Sequence, residues 1–312
     1  AVMQAVPELD ESVPTLILYG DVPLIGIESL RRLVAVAGNE RLGILTVEMP
    51  DPTGYGRIIR VDGRIRRIVE QKDGREEELA VKEINTGMMV VPTVSLKRWL
   101  SSLTNDNAQG EYYLTDIIGL AVADGQKTGA FAAADEDEIM GVNDRVQLSQ
   151  AEAVMRRRIA EQLMRDGVTM IDPHSVYIDE GVKIGRDTVV YPGAILSGNT
   201  EIGEGCLIGQ NSRIENSKIG NHTQIQSSTI IDSIVGDETT VGPYAYLRPK
   251  SHLGNHVKIG DFVEVKNAQI GDGSKASHLS YIGDADVGED VNIGCGVVFV
   301  NYDGINKFRT TV

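Results

Sequence analysis

Several residue types are scarce in this chain of 312 residues, and each scarcity excludes a class of protein. The two cysteines, Cys206 and Cys295, are too few for a disulfide framework or a tetrahedral cysteine metal site. Their small number indicates a reducing compartment, and we expect a cytoplasmic protein. The longest apolar runs are far shorter than the roughly 20 residues of a membrane span, which excludes a transmembrane helix.

Basic residues are also fewer than acidic residues. The chain has 30 Lys and Arg residues against 45 Asp and Glu residues, a formal net charge of −15. Nucleic-acid binding requires basic patches that face the phosphate backbone, so this balance argues against a nucleic-acid partner. Glycine, by contrast, is abundant at 34 residues, which is typical of turns or repeats.

The sequence at both ends of the chain indicates truncation. The sequence opens Ala-Val-Met-Gln-Ala-Val-Pro, and it stops at Thr310-Thr311-Val312 within a repetitive region. We expect an internal portion of a longer protein, truncated at both ends.

The first half of the chain alternates short apolar strands with helices. Apolar runs at residues 15–19, 43–47 and 84–91 predict buried strands, and residues 27–36 and 111–122 predict helices. This alternation is typical of an α/β layer with a mostly parallel sheet. We therefore predict one α/β domain over residues 1–145, followed by a long linker helix over residues 146–167.

The second half, residues 168–312, repeats every six residues. Aliphatic residues recur at Ile184, Val190, Leu196, Ile202, Ile208 and Ile214; at Ile219, Ile225 and Ile231; at Val241, Leu247, Leu253, Ile259 and Val265; and at Ile293 and Phe299. This spacing predicts a prism of stacked coils in which each side contributes one inward aliphatic residue. Residues 274–281 interrupt the repeat, and such an interruption favours a functional role for them.

An ordered set of motifs carries a resemblance to a known family. The motifs are residues 18–24 (Leu-Tyr-Gly-Asp-Val-Pro-Leu), 51–57 (Asp-Pro-Thr-Gly-Tyr-Gly-Arg), 69–73, 83–87, 107–113, 141–145, 247–249 and 301–304. Together they resemble the bacterial bifunctional N-acetylglucosamine-1-phosphate uridylyltransferases/glucosamine-1-phosphate N-acetyltransferases over essentially the whole chain. The resemblance implies a doubly wound, Rossmann-like nucleotidyltransferase domain, a linking helix and a left-handed parallel β-helix that forms a homotrimer.

Asp21, at the end of an apolar run, suits either an Mg²⁺ ligand facing substrate phosphates or an ordinary turn. The resemblance implies that Asp21 and Asn143 hold Mg²⁺. It implies that UDP-N-acetylglucosamine is bound by Tyr19, Gly20, Asp21, Gly56, Glu70, Asn85 and Asn143. The family's glycine-rich phosphate loop precedes Ala1, so this domain is expected to lack part of its site.

Histidine is the side chain best suited to accept a proton near neutral pH, and the chain has five. The resemblance selects His278 as the general base of acetyl transfer. It assigns glucosamine-1-phosphate to Arg248, Lys266, Tyr281 and Asn292, and acetyl-coenzyme A to Cys295, Asn301 and Tyr302. The family more often has Ala at the Cys295 position, and nothing in the sequence suggests that Cys295 is a nucleophile.

The implied activity is acetyl transfer from acetyl-coenzyme A, followed by uridylyl transfer from UTP with release of pyrophosphate. The partners are then small-molecule substrates and two further copies of the chain. Two alternatives remain at this point. The β-helix of a nucleotide-sugar pyrophosphorylase could be only structural or regulatory, or the chain could be an inactive trimeric fragment.

Overall fold

The computed structural model describes residues 1–133 and 135–312. The chain divides into two compact units, residues 1–152 and 153–312. One helix, α6 (Arg145–Arg165), crosses this division. Within the described residues, no helix is both long enough and apolar enough to cross a membrane.

The first unit has an α/β order. Its elements are α1 (Val2–Ala5), a 3₁₀ helix (Val6–Glu8), β1 (Pro14–Ile17), α2 (Ile27–Ala37), β2 (Leu42–Glu48), β3 (Arg57–Val61), β4 (Arg64–Val69), α3 (Glu76–Leu79), β5 (Glu83–Pro92), α4 (Thr93–Ser101), α5 (Asp116–Ala123), β6 (Thr128–Ala132) and a second 3₁₀ helix (Glu136–Ile139).

Helices cover both faces of this sheet, which confirms the α/β fold class. Along β2, Leu42 and Ile44 belong to one apolar cluster, together with residues of α4 and α5. Leu45 and Val47 belong to the other cluster, together with Leu33 of α2. Because successive side chains of a strand point to opposite faces, a strand between two helical layers is apolar along its whole length.

The sheet is mixed rather than mostly parallel, so that part of the prediction was wrong. Its order is β4-β3-β5-β2-β6, with β1 beside β5. β2 and β6 run parallel, whereas β5 runs antiparallel to β1, β2 and β3. β3 and β4 form a hairpin through Asp62 and Gly63, both at positive φ, and a hairpin connection produces antiparallel neighbours.

Two predicted elements of this unit need correction. β1 is a short strand in which Leu16 is 39% exposed, not a buried parallel strand. Helix α5 begins at Asp116 rather than near residue 111, because the segment before it is held in turns. There the Asn107 side chain accepts hydrogen bonds from the backbone N–H groups of Gln109 and Glu111.

The second unit is a coil of short strands arranged in three parallel sheets, which confirms the predicted parallel β-helix. Its strands are β7 (Thr169–Met170), β8 (Tyr177–Ile178), β9 (Lys183–Ile184), β10 (Val189–Val190), β11 (Ile195–Ser197), β12 (Glu201–Ile202), β13 (Leu207–Ile208), β14 (Arg213–Glu215), β15 (Lys218–Ile219), β16 (Gln224–Ile225), β17 (Thr229–Ile231), β18 (Ile234–Val235), β19 (Thr240–Val241), β20 (Tyr246–Leu247), β21 (His252–Leu253), β22 (Lys258–Asp261), β23 (Glu264–Lys266), β24 (Gln269–Ile270), β25 (Lys275–His278), β26 (Tyr281–Gly283), β27 (Ala285–Val287), β28 (Asn292–Ile293) and β29 (Thr310–Thr311).

The inward positions form one continuous apolar column, as the six-residue period predicts. At β17 the inward residue is Ile230, in register with Ile214 and Leu247, so the prediction of Ile231 was wrong. The corner before β17 is one residue shorter than a regular repeat. Gly236 shows why glycine follows many inward residues, because a Cβ there would lie 2.5 Å from the carbonyl carbon of Gly254 on the next coil.

Residues 274–281 also differ from the prediction. Ala276 and Ile282 are both buried at inward positions, six residues apart. The repeat therefore continues through this segment, with a small alanine in place of a larger aliphatic residue. His278 consequently lies on a regular coil rather than on an interruption.

Two candidate substrate sites

The first candidate site lies where several strands of the mixed sheet reach the same edge. Arg57 at the start of β3 is paired with Val69 at the end of β4 and with Ile84 near the start of β5. Gly56 and Glu70 therefore emerge side by side, next to Asn85. The backbone N–H of Asn85 donates to the Gly56 carbonyl at 2.8 Å.

Close packing explains the glycine at position 56. A Cβ on Gly56 would lie 3.0 Å from Ile68 Cγ2 and 3.3 Å from Glu70 Oε2. Gly56 is buried and has an ordinary φ, so what it provides is space rather than an unusual turn. The absence of a side chain at Gly56 leaves room for Ile68 and for the Glu70 carboxylate beside it.

Tyr19 arrives at the same edge from β1. Since Ile17 is paired with Met89, the residues after β1 run towards the first half of β5, and the Tyr19 ring covers Gly87. The Tyr19 hydroxyl has a raised pKa because of partial burial and because the carboxylates of Glu70 and Asp21 lie nearby. These two carboxylates therefore share an electrostatic environment with Tyr19, which brings Asp21 into the cluster.

Asn143 is joined to Asp21 through the backbone. The N–H of Val142, the residue before Asn143, donates to the Asp21 carbonyl at 2.8 Å. Both Asp21 and Asn143 are exposed to solvent. The residues expected to bind UDP-N-acetylglucosamine thus lie on one edge of the sheet, with Gly20 between Tyr19 and Asp21. We call this set of seven the nucleotide-sugar edge; it consists of Tyr19, Gly20, Asp21, Gly56, Glu70, Asn85 and Asn143.

Sequence reasoning missed further polar groups on this edge. Thr115 Oγ1 donates to Glu70 Oε1 at 2.8 Å and so fixes that carboxylate. The pKa of Asp116 is raised by partial burial and by the negative charges of Glu70 and Asp73. The motif at residues 107–113 is the signal that could have found them, since its loop leads directly into Thr115.

The second candidate site lies on the β-helix, around the buried carboxylate of Asp284. Asn301 Nδ2 and Asn267 Nδ2 donate to the two carboxylate oxygens, and Lys266 Nζ lies 3.9 Å from Oδ2. These contacts lower the pKa of Asp284; the largest contribution is the Asn267 hydrogen bond, with Asn301 and Lys266 adding to it. Asn301 Nδ2 also lies 3.3 Å from the Tyr281 hydroxyl. Two predicted site residues, Asn301 and Lys266, therefore contact one aspartate that sequence reasoning did not select, and a third, Tyr281, contacts Asn301.

Arg248 reaches this cluster through a second carboxylate. Its Nη1 donates to Glu264 Oε1 at 2.8 Å, and both side chains are 39% exposed. Glu264 is in register with Tyr281 on the next coil. The two predicted phosphate-binding cations, Arg248 and Lys266, thus lie on neighbouring coils, each beside an acidic residue of the chain itself.

His278 lies at the corner that precedes Tyr281, with its side chain exposed. Asp261 is its register partner on the previous coil. On the next coil the Gly296 N–H donates to the Leu279 carbonyl at 2.9 Å, and the Gly294 carbonyl accepts from Ser280 Oγ at 3.2 Å. These bonds place Cys295, which is exposed, at the corner adjacent to His278.

Two further predicted residues, like His278 and Cys295, lie apart from the Asp284 cluster. Asn292 is in register with Lys275 and is exposed on the sheet that carries His278. Tyr302 lies on the excursion between Phe299 and β29, where its hydroxyl donates to the Gly304 carbonyl at 2.6 Å. Among the described residues no group of three or more His, Cys, Asp or Glu side chains has the arrangement of a metal site.

Comparison with known proteins gives these sites their context. Residues 171–271 match the family model described as the GMPPB C-terminal domain. Among solved structures, the acetyltransferase domain of PglB from Neisseria gonorrhoeae FA1090 has a TM-score of 0.32 at 15% identity, over 51% of this chain and 73% of that chain. A similarity this weak does not establish the fold or the function of this chain.

Whole-chain relatives are far more similar. The bifunctional protein GlmU of Clostridioides difficile (strain 630) is 56% identical over 315 residues, which cover 100% of this chain and 69% of the relative. The GlmU proteins of Alkaliphilus metalliredigens (strain QYMF) and Janthinobacterium sp. (strain Marseille) are 53% and 51% identical with the same coverage. The motifs of both halves point to this same family, and the chain belongs to the bifunctional GlmU family.

Proposed function

We propose that the chain is a bifunctional transferase of UDP-N-acetylglucosamine synthesis, with one reaction in each unit. The β-helix would transfer an acetyl group from acetyl-coenzyme A to glucosamine-1-phosphate. The mixed-sheet unit would transfer a uridylyl group from UTP to N-acetylglucosamine-1-phosphate and release pyrophosphate. The observation that carries the proposal is that most of the family site residues lie close together, each set within its own unit.

For acetyl transfer, the amine of the sugar must lose a proton as its nitrogen bonds to the acetyl carbon. The carbon–sulfur bond of the thioester then breaks, and the thiol leaves. His278 is exposed at a corner three residues before Tyr281, which suits a base that takes the amine proton. Arg248 and Lys266 would hold the sugar phosphate, since a guanidinium fork and a compact ammonium both suit a dianion.

The carboxylates beside these two cations would compete with the substrate phosphate. Before substrate binds, Glu264 and Asp284 partly neutralise Arg248 and Lys266. A phosphate dianion would compete with both carboxylates for the same donors. Asn292 and Tyr281 would contact the sugar, and Cys295, Asn301 and Tyr302 would contact acetyl-coenzyme A; Cys295, next to His278, is best placed for the thioester.

For uridylyl transfer, a phosphate oxygen of the sugar attacks the α-phosphorus of UTP, and pyrophosphate leaves. Asn85, Gly56, Glu70, Tyr19 and Gly20 would position the nucleotide sugar at their shared edge. Such a reaction depends on positioning and on neutralising phosphate charge.

The donor groups of Asp21 and Asn143 fit Mg²⁺. Both side chains offer hard oxygen atoms, both are exposed, and their segments are joined by the bond from Val142 to Asp21. Mg²⁺ commonly uses one or two protein oxygens and completes its shell with water and substrate phosphate, so a larger acidic cluster is not required. When bound, Mg²⁺ would neutralise phosphate charge.

We further propose a left-handed coil, a homotrimer, a cytoplasmic location and the domain boundaries 1–145, 146–167 and 168–312. Membership of the family supports each of these. Light scattering tests the assembly: a mass of three chains at micromolar concentration is expected, and a stable monomer would contradict it.

Two separate assays test the activities. Release of free thiol from acetyl-coenzyme A with glucosamine-1-phosphate reports the first reaction, and release of pyrophosphate from UTP with N-acetylglucosamine-1-phosphate reports the second. His278→Ala should reduce only the first, and Asn85→Ala only the second. Pyrophosphate release without any acetylation would favour a pyrophosphorylase with a structural β-helix, and failure of both assays would favour an inactive assembly.

A further inference from the structure

A cleft in the first unit is lined by positive charge, although the chain as a whole carries a net charge of −15. Its volume is about 1040 Å³. Four cationic side chains line it, with one acidic residue among them; they are Arg41, Arg64, Arg66, Lys127 and the acidic Asp62. We call this group the cationic cleft.

The cleft lies away from the nucleotide-sugar edge. Arg41 immediately precedes β2 and Lys127 immediately precedes β6, where the Leu42 N–H donates to the Lys127 carbonyl at 3.1 Å. The other end of β2 reaches the level of Asn85, which is in register with Thr46. Leu42 and Thr46 are four residues apart on β2, so Arg41 and Lys127 lie at least about 13 Å along the strand from the level of Asn85.

The cations of the cleft are available for a ligand. Arg41, Arg64, Arg66 and Lys127 are exposed, and none of them has an ion pair within the described part of the chain. This differs from neighbouring arginines, since Arg60 pairs with Glu83 and Arg67 pairs with Glu78. Four like charges around one cavity repel each other, and a bound anion would relieve that repulsion.

The hairpin arranges two of these cations as a pair. Arg64 and Arg66 lie on either side of the buried Ile65 on β4, and both line the cleft. The pairing of β3 with β4 is irregular here, because Arg60 lies opposite Ile65 and Ile59 lies opposite Arg67. A guanidinium group binds a phosphate through two parallel hydrogen bonds, and two such groups lining one cleft suit neighbouring phosphates.

The rest of the lining narrows the ligand class. Val61 and Val122 contribute apolar surface, and no aromatic ring lines the cleft in the described residues. A nucleobase would therefore have no stacking partner, whereas densely charged phosphate groups would find several donors. The cavity also falls in the size range of small-molecule sites.

We propose that the cationic cleft is a second anion site, distinct from the nucleotide-sugar edge, for a small molecule that carries two or more adjacent phosphate groups. The site holds its ligand through Arg64, Arg66, Arg41 and Lys127. Its affinity falls steeply as ionic strength rises, because the interaction is electrostatic and exposed.

Isothermal titration of the full chain with inorganic tripolyphosphate tests the proposal. EDTA is present, so that no divalent metal recruits the anion to Asp21 and Asn143. We expect one molecule bound at the cationic cleft of each chain, apart from any tripolyphosphate held by Arg248 and Lys266 in the second unit. The variant Arg64→Gln/Arg66→Gln should lose at least about tenfold in affinity, since both charged forks are removed. Trp99 fluorescence verifies that the unit remains folded, because Trp99 is the single tryptophan and is buried there.

The matched control is Arg31→Gln/Lys258→Gln, which removes the same charge from two exposed, unpaired positions outside the cleft. Its affinity should stay within about twofold of the wild type. Absence of binding to the wild type would overturn the proposal, and so would an equal loss of affinity in both double variants, because a diffuse charge effect would then account for it. Titration with inorganic monophosphate tests the need for adjacent phosphates. If monophosphate bound as tightly as tripolyphosphate, the proposal of a site for adjacent phosphate groups would be wrong.

Discussion

The ring of Tyr19 lies directly over Gly87, so that a Cβ at position 87 would occupy the space of the ring. Gly87 also has φ of 79°, a conformation that L side chains rarely adopt. Two independent constraints therefore require glycine here. Through this contact the central strand β5 holds Tyr19 at the nucleotide-sugar edge.

We predict that Gly87→Ala destabilises the first unit and weakens UDP-N-acetylglucosamine binding, because Tyr19 must move. The positive φ alone costs about 1–2 kcal/mol for a residue with a side chain, and displacement of the ring adds to it. Urea unfolding followed by Trp99 fluorescence measures the stability of this unit. Gly63→Ala is the matched control, since Gly63 has φ of 74° and open space around its Cβ. Equal losses in the two variants would show that the Tyr19 contact is unimportant.

Sequence reasoning proposed residues for the nucleotide-sugar site, but it did not show which contacts hold them in place. It could assign Glu70, but not its hydrogen bond from Thr115, which lies 45 residues away along the chain. It also predicted a mostly parallel sheet, because an α/β alternation does not reveal that β5 is reversed relative to β2. Strand direction depends on connections and pairings that local apolar patterns do not encode.

The β-helix was more predictable, because a six-residue period fixes which residues point inward. The errors came where the period changes locally. Two adjacent isoleucines, Ile230 and Ile231, are indistinguishable by composition, and only the length of the corner before β17 selects Ile230. Ala276 was missed because a small inward residue looks like an interruption when aliphatic residues alone are counted.

Acid should destabilise the β-helix through Asp284. Its folded pKa lies below the ordinary value, so its contribution is present above about pH 4 and is lost as the pH falls through the folded pKa. At neutral pH Asp284→Asn should melt at a lower temperature than the wild type, because the charged hydrogen bonds are lost. The difference should shrink in acid, where the wild-type carboxylate also becomes neutral. Thermal unfolding followed by far-UV circular dichroism at several pH values measures the difference in melting temperature.

Asp286 provides the control for this pH effect. Its pKa is also lowered, by Arg309, but its side chain is 46% exposed. Solvent screens an exposed ion pair, so Asp286→Asn should change the melting temperature far less at every pH. A pH-independent difference between Asp284→Asn and the wild type would mean that packing, rather than charge, makes Asp284 important.

Arg248→Ala should raise the KM for glucosamine-1-phosphate by at least about tenfold and change kcat little, because it removes ground-state binding of the phosphate. It also leaves Glu264 without its partner, which adds repulsion of the dianion. Steady-state acetylation kinetics measure both constants. Arg213→Ala is the control, since Arg213 forms a similar exposed pair with Glu215 on the same sheet and lies two coils away. An unchanged KM in Arg248→Ala would remove Arg248 from the phosphate site.

His278→Ala should lower kcat for acetylation rather than raise KM, which is the opposite of the effect expected for Arg248→Ala. A positioned imidazole contributes about 10²–10⁴-fold to proton transfer, or roughly 3–5 kcal/mol of barrier, so kcat should fall by that order while KM stays nearly constant. Uridylylation should be unaffected, because its residues lie in the first unit. His252→Ala is the matched control, being an exposed histidine on another sheet of the β-helix, more than one coil before His278. Acetylation by His278→Ala at the wild-type rate between about pH 6 and pH 9 would mean that another group takes the amine proton.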